Sequence, residues 1–587
     1  MGKLTDPSPV ARFGKLLKSE RGDIWVLCTY TVSVVIFGLL IPLATQSLVN
    51  TIAAGLFLQP LVILSLLVFG GLALAGFMQM LQISVVETVQ QRIFATTALR
   101  IADVLARACN KNMRDEYAPE LVNRFFDVLT VQKALAKLLV DGMTAVVQTV
   151  LGLTILGFYN PSLLLLDLMM VVGLIGITVL FGIGGLRTSI ETSKEKYHVA
   201  DWLEDIARCN VSLKVHGNRS YLARRADDAI TKYLDQRQSY FKITLRQSGA
   251  FYIFQAFTQA IALAGGGWQV LSGNLTLGQL VAAQIIIGTV LAAMEKLIRQ
   301  TDQFFDLLTG LDKVGNLTDM ETERSGGSSL PFPEAPQGLE VQCRNIKFSY
   351  ANSRPVLDGV TMQLNAGDRV SLVGESGAGK STLGMLLCGL DEPSHGTVEF
   401  DGIEVRTMCL DSIREHVSMI GYENELFDGT IEENILVGRE NLTLKDVRWA
   451  VDIAQLANDV SEMPEGLHTK VISGGKNLSR GQVQRILIAR AIVGKPRLLI
   501  LDEAFTGIDE KQTLKILDAL FDSANSWTII DISHDSEVIE RTETVYVLSD
   551  GKIKESGPLM SLANNEYGEF SNLFPVLSKN LRLRGAK

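Results

Sequence analysis

Six stretches of nearly unbroken apolar residues dominate the first half of the chain, roughly Ile24–Ala44, Leu61–Val86, Leu138–Phe158, Leu163–Ile183, Phe251–Leu271 and Leu277–Leu297. Runs near ~20 residues suit a helix that crosses the ~30 Å hydrocarbon core of a bilayer. Between Asp23 and Glu87 there is no Asp, Glu, Lys or Arg, a gap long enough for two crossings. From Leu339 the pattern changes to short β-rich runs that alternate with helical stretches, among them Arg369–Val373, Val398–Phe400, Val417–Ile420, Arg497–Glu503 and Trp527–His534. That alternation predicts a largely parallel sheet covered by helices, with ligand chemistry at the strand C-terminal ends. Between the halves, Ser325–Pro336 is a run of small residues followed by three prolines. It reads as a linker with no core of its own. The expected organisation is a six-helix, all-α membrane domain over 1–324, a linker over 325–337 and an α/β domain over 338–587.

Charge orients the first domain. The connectors Thr45–Pro60, Tyr159–Ser162 and Ser272–Thr276 contain no Lys or Arg. The N-terminus carries Lys3, Arg12, Lys15, Lys18 and Arg21, and the long connectors around 88–135 and 185–248 are rich in both. The positive-inside rule then places both termini, the long connectors and the second domain in the cytoplasm of a cell whose cytoplasmic membrane holds the spans. The long connectors lack a turn-rich break, so they are expected to continue the flanking helices past the membrane. Within the spans, Gln255 and Gln259 share a helix face, and Gln79, Gln82, Gln148, Gln279 and Gln284 lie in or near spans. Helix–helix hydrogen bonding is the simpler reading of these, substrate lining the sharper one. Asp167 falls near the outer end of its span, where interfacial hydration accounts for it.

The overall composition adds little to this. A net charge of −9 over 587 residues gives no case for a nucleic-acid partner. Six cysteines without C-x-x-C spacing read as ordinary thiols rather than disulfides or zinc ligands. The first twenty or so residues are polar, so no cleavable signal peptide is expected.

The chemistry centres on Gly374, Glu375, Ser376, Gly377, Ala378, Gly379, Lys380 and Ser381, which fit G-x-x-x-x-G-K-[ST]. An apolar strand, Arg369–Val373, runs into this loop, and Thr382–Leu387 reads as the first turns of a helix. The turn's backbone N–H groups and the helix N-terminus suit phosphate oxygens. Lys380 is expected to reach the β/γ-phosphates, and Ser381 to offer its hydroxyl to Mg²⁺. Arg497–Glu503 is a strand that ends in two carboxylates. Asp502 is suited to hold Mg²⁺ and Glu503 to polarise an attacking water. His534, at the end of another strand, is placed to sense a γ-phosphate. A P-loop NTPase domain that hydrolyses a nucleotide is the expected result.

These residues together resemble the ATP-binding cassette (ABC) transporter superfamily, in particular exporter-type half-transporters with a fused membrane domain. The most specific piece is Gly474–Arg485 leading into Ala489-Arg490-Ala491, similar to the family's signature motif. The resemblance implies that Ser479, Gly481 and Gln482 bind ATP in trans on a second subunit, and that Tyr350 stacks on adenine. It also implies ATP-binding roles for residues 374–382, including Thr382, and a coupling role for Asp509. Leu426–Ile431 with Glu433–Ile435, Glu120–Asp127 and Leu275–Leu280 have the same look. Three positions depart from the pattern. Tyr422 stands where a coupling glutamine is usual, with Glu423 or Glu425 as stand-ins. Arg480 replaces the commonest glycine. Thr506-Gly507-Ile508-Asp509 replaces Ser-Ala-Leu-Asp.

One cassette and six crossings make half of the family's working unit. The resemblance therefore implies a dimer, either of this chain with itself or with a related half-transporter. Pro42–Asn50 is similar to bacterial peptide- and protein-secreting members, although no peptidase domain is expected before the first span. Lipid or amphipathic cargo is the alternative. A nucleotide-gated regulator that does not pump and an importer subunit are the competing functions.

Overall fold

The computed structural model describes residues 8–53, 59–115, 118–159, 163–331, 333, 337–350, 354–421 and 425–585. Two compact units emerge, a helical unit of residues 1–108 and 112–322 and a mixed unit of residues 323–587 with 109–111.

The helical unit is built on long rods. Gln59–Ala106 has 48 residues, Arg219–Leu271 has 53 and Leu277–Thr318 has 42. At ~1.5 Å per residue these are about 60–80 Å long, twice or more the hydrocarbon thickness, so they project well beyond a bilayer. The expected helical continuation of the connectors is observed. Among the described residues, five segments are long and apolar enough to cross a membrane: Arg21–Ala53, Leu61–Ala106, Leu121–Phe158, Leu165–Gly182 and Leu277–Thr318. The sixth predicted crossing, Phe251–Leu271, is present as the last turns of the 53-residue helix. Gln255, Gln259 and the glycines at 265–267 dilute its apolar character, which is why it falls outside that set. The first segment is two helices, Arg21–Gly38 and Leu40–Ala53, broken at Leu39. Pro42, which has no N–H for the carbonyl four residues back, explains the break.

Packing inverts the soluble pattern. Only 6% of the most apolar stretch of Leu61–Ala106 is buried, and Leu66, Phe69, Ile83 and Leu165 stand exposed. Apolar side chains facing outward along a whole helix require a lipid solvent. Polar contacts join the helices on the inside. Gln82 donates to the fully buried Thr31 hydroxyl at 2.7 Å, and Ser189 meets Thr309 at 3.3 Å. Gln82 is thus helix–helix glue, and Gln82→Leu is expected to lower the unfolding free energy of this unit in detergent by about 1 kcal/mol. Gln279 caps its own helix, bonded reciprocally to Thr276. Gln255 and Gln284 are half-buried, while Gln259 is exposed. Asp167 departs from the expectation of interfacial hydration. It is 7% exposed, and neither carboxylate oxygen has a hydrogen-bond partner, because the helix turns its face toward the cluster of Leu156, Leu166 and Met170.

The mixed unit contains two main sheets. An antiparallel sheet holds β1 (Val341–Phe348), β2 (Leu357–Leu364), β4 (His395–Phe400) and β5 (Ile403–Glu404) in the order β2-β1-β4-β5. The larger sheet holds β3 (Arg369–Val373) and β6 (Val417–Ile420), then, beyond the short ribbon of β7 (Gly429–Thr430) and β8 (Lys470–Val471), β9 (Leu498–Asp502), β10 (Thr528–Ile532), β11 (Thr544–Ser549) and β12 (Lys552–Pro558). Its order is β12-β11-β3-β10-β9-β6. Only β12 is antiparallel there. β9 and β10 are buried at every position, which explains their continuous apolar runs. The largely parallel sheet was predicted, but the separate antiparallel sheet was not.

The presumed linker is anchored to this unit. Leu330 is buried and its N–H donates to Ser412 Oγ at 2.9 Å. Ser328 exchanges backbone bonds with Thr407 and Cys409, and Glu323 pairs with Arg414 through two hydrogen bonds. Its small residues allow this close backbone approach: a Cβ at Gly327 would lie 2.5 Å from the Met408 carbonyl carbon. All six cysteines are free, and burial pushes the Cys343 and Cys388 thiols up to about 12.

Candidate nucleotide-binding and hydrolysis site

β3 feeds the glycine loop and the helix Lys380–Leu387 that follows it. Gly379 caps that helix at φ +104°, where an added Cβ would lie 2.8 Å from Leu357 and 3.0 Å from the Val356 carbonyl. At Gly374 an added Cβ would lie 2.0 Å from the Leu548 carbonyl oxygen. Both glycines are therefore required by close backbone approach, and the loop forms a tight cradle. Lys380 is 9% exposed, and its ammonium donates to the carbonyls of Gly374 at 2.8 Å and Glu375 at 2.9 Å. Burial lowers its pKa, while Asp502 and Glu503 act in the opposite direction. Thr382 lies on this first turn, its hydroxyl 2.9 Å from that of Tyr350. The Tyr350 ring stands edge-on to Phe348 at 4.9 Å. The aromatic candidate for adenine thus sits beside the loop.

Strand order brings the remaining candidate residues to the same rim. β10 lies between β3 and β9, with Ile529 paired to Arg369 and Ile532 to Asp502. The segments that leave the three strand ends carry the glycine loop, His534 and Asp502-Glu503. Asp502 is 5% exposed. Glu503 has φ +50°, its N–H bound to the Ile532 carbonyl at 2.9 Å. A cleft of about 460 Å³ is lined by Glu503, Thr506, Ser533, His534 and Asp535, among others.

Ser479, Gly481 and Gln482 are elsewhere in the unit. Ser479 caps the helix Arg480–Ile492 in a reciprocal box with Gln482. Gln482 also donates to Asp459 at 2.9 Å, and Arg485 holds the same carboxylate. Among the described residues, none of their hydrogen bonds reaches the glycine loop. Asp509 caps the helix Glu510–Leu520 by accepting from the Gln512 N–H at 3.0 Å. Tyr422 and Glu423 lie outside the described residues; Glu425 accepts from Arg490 through its backbone carbonyl. Sequence reasoning missed two braces. Gln484 donates to the Ala504 carbonyl at 2.7 Å, steadying the segment after Glu503. Asp531 joins a buried hydroxyl network below His534. Its carboxylate inside an apolar strand was the signal in the sequence.

Two family profiles match this chain in succession. One, described as the ABC transporter transmembrane region, covers residues 24–294, and the other, described as ABC transporter, covers residues 357–506. The chain belongs to the ABC transporter superfamily. It is similar to an uncharacterized ABC transporter ATP-binding protein of Bacillus subtilis, 30% identical over 59% of this chain and 60% of that one. A leukotoxin translocation ATP-binding protein of Mannheimia glucosida is 31% identical over 56% of this chain and 46% of that one. A mitochondrial ATP-dependent permease of Schizosaccharomyces pombe is 30% identical over 76% and 62%. The matched stretches span less than two thirds of the length of these relatives. A solved bacterial Atm1-family ABC exporter with ATP bound has the same fold, with TM-score 0.84 at 23% identity over 97% of this chain and all of that one. The helical unit is accordingly the transmembrane region of a membrane protein, and the mixed unit an ATP-binding cassette.

The residues present suit the groups this family uses. The cradle at Gly374 and Gly379 excludes any Cβ, leaving backbone N–H groups for phosphate. A hydroxyl at Ser381 and a carboxylate at Asp502 are hard oxygen donors of the kind Mg²⁺ takes alongside phosphate oxygens.

Proposed function

We propose that this chain is an exporter half-transporter that uses ATP hydrolysis to move a substrate across the cytoplasmic membrane as an alternating-access dimer. The observation that carries this reading is the placement of the glycine loop, Asp502-Glu503 and His534 on three adjacent strand ends, on a chain whose helical unit is clad in exposed apolar residues. The loop 374–379 and the helix start at Lys380–Thr382 bind the phosphates, Lys380 exchanging its loop carbonyls for phosphate oxygens, and Tyr350 packs on the base. Ser381 and Asp502 would hold Mg²⁺, which when bound would supply charge neutralisation at the phosphates. Glu503 takes a proton from the attacking water as general base. His534 donates to a γ-phosphate oxygen. Ser479, Gly481 and Gln482 close the site of the partner subunit, a second copy or a related half-transporter. Asp509 and Tyr422 lie in the segments that couple the two sites and the membrane. The cassette, both termini and the long helix extensions face the cytoplasm.

Peptide or protein cargo is supported by the leukotoxin translocation relative, and lipid or another amphipathic molecule is the second candidate class. The chain reconstituted in lipid discs is expected to hydrolyse ATP faster with its cargo class present, tested with amphipathic peptides against lipids. ATP-dependent uptake into inside-out vesicles then completes the test. Turnover that depends on Glu503 with no solute moved against a gradient would overturn the exporter assignment.

A further inference from the structure

Asp531 lies one residue from the end of β10 and is 1% exposed. It shares its face of the sheet with Ser533 and, across the parallel pairing Asp531–Ser371, with Ser371 on the strand that feeds the glycine loop. Asp531 Oδ2 lies 2.8 Å from Ser533 Oγ and 3.4 Å from Ser371 Oγ. Ser371 Oγ lies 3.0 Å from Thr542 Oγ1, which donates to the Ile539 carbonyl at 2.8 Å. Asp531 Oδ1 is buried with no hydrogen-bond partner.

Burial without a cationic partner favours the neutral form of this acid. Four contacts join the members, and the three hydroxyls of Ser533, Ser371 and Thr542 supply one hydrogen each. The Asp531–Ser371 contact, at 3.4 Å the longest of the four, is the one a carboxyl proton would complete. With Oδ2 protonated, one chain of donors runs from Asp531 to Ser371, Thr542 and the Ile539 carbonyl, and Ser533 donates into Oδ2. Ionised, the group loses one link, and the unpartnered Oδ1 comes to share a negative charge in an apolar interior.

No Lys or Arg forms an ion pair with Asp531 among the described residues. The charged groups nearest in effect are Asp535 in the following loop and Asp502 on β9, both repelling an anion, and burial is the largest cause. Asp502 pairs with Ile532, so its side chain leaves the opposite face of the sheet. Together these push the Asp531 carboxyl up to about 7, with Ser533 and Ser371 acting in the opposite sense.

We propose that Asp531 is a proton-dependent positioning residue of the hydrolytic site, whose neutral acid ties the glycine-loop strand, the turn Ile539–Thr542 and the Ser533–His534 step into one unit. It rests on the reading of Glu503 and His534 as hydrolytic groups. Ser533, next to His534, donates to Oδ2 in either form, and the link lost on ionisation is the one to Ser371, so ionisation uncouples the histidine's segment from the strand that feeds the glycine loop. The sign follows from linkage. A folded-state pKa raised above the unfolded value gives stability present at low pH and lost as pH rises through about 7.

The test uses the full chain in lipid discs from pH 6 to 8.5, with Asp531→Asn and Asp531→Ala beside the wild type. The amide of Asn donates to Ser371 as the acid does but does not titrate. Wild-type kcat is expected to fall several-fold through neutrality at nearly constant KM for ATP, with a parallel fall in the cassette's thermal midpoint. Asp531→Asn is expected to flatten both profiles, and Asp531→Ala to lower kcat at every pH. Superimposable wild-type and Asn profiles in both readouts would overturn the proposal. If turnover proves independent of Glu503, the hydrolytic reading fails, and with it the positioning role. The thermal profile would then report only the buried acid.

Discussion

Glu503→Gln in the full chain, reconstituted in lipid, is expected to lower ATP turnover by about 100-fold or more while ATP still binds. The substitution keeps the size and hydrogen-bonding shape of the side chain but removes the base. Glu503 sits at φ +50°, a conformation that costs a non-glycine residue of order 1–3 kcal/mol. Its N–H bond to the Ile532 carbonyl and the turn bond from the Thr506 N–H to its own carbonyl hold it there. That conformation turns the chain off β9 and leaves the exposed side chain lining the same cleft as His534. Single-turnover hydrolysis of radiolabelled ATP, with binding followed by a fluorescent analogue, separates the two effects. Turnover above about a tenth of wild type would remove Glu503 from the base role.

The second large effect follows from the proposal that the site is shared between subunits. Lys380→Ala and Ser479→Arg are each expected to abolish turnover as homodimers, whereas dimers mixed from the two variants regain it. In a mixed dimer, the loop of the Ser479→Arg chain faces the intact Ser479 of the Lys380→Ala chain, so one complete site survives. In a preparation of mixed dimers alone, with sites that act independently, recovery reaches roughly half of wild type. Differently tagged chains, co-expressed and purified through both tags, give the mixed species directly. The Ser479→Arg homodimer provides the control, because it should bind nucleotide at the loop yet not hydrolyse it. Activity in that homodimer, or none in the mixed dimer, would show that Ser479 does not complete a neighbour's site. The structure motivates the experiment: the Ser479–Gln482 cap is braced by Asp459 and Arg485, and none of its described hydrogen bonds reaches the loop of its own chain.

Much of this was legible in the sequence because the signals are local. Charge-free runs such as 24–86 demand a lipid solvent wherever they lie in the fold, and the glycine loop is defined by eight consecutive residues. The strands that run into Asp502-Glu503 and toward His534 were legible for the same reason, since buried parallel strands are continuously apolar, although β10 itself ends at Ile532, two residues before the histidine. What was not legible is non-local. Ser325–Leu330 reads as a loose linker, yet it is anchored by Ser412, Thr407 and Cys409, some eighty residues further along the chain. Gln279 looks like an intramembrane polar group until its bond to Thr276 makes it a cap. Asp167 looks interfacial by position, and only the packing of the helix face it lies on buries it.

The sequence by itself determined the two kinds of solvent this protein lives in, the order of its two halves and the residue types proposed to meet the nucleotide. Each follows from composition over one short window. The tertiary structure alone decided the order β3-β10-β9, which sets three distant motifs side by side, and the separate antiparallel sheet beside them. It alone decided which polar groups are partnered, because hydrogen bonds such as Ser371–Asp531 join positions 160 residues apart. Strand pairing and burial depend on which segments meet in space, and no local window carries that information.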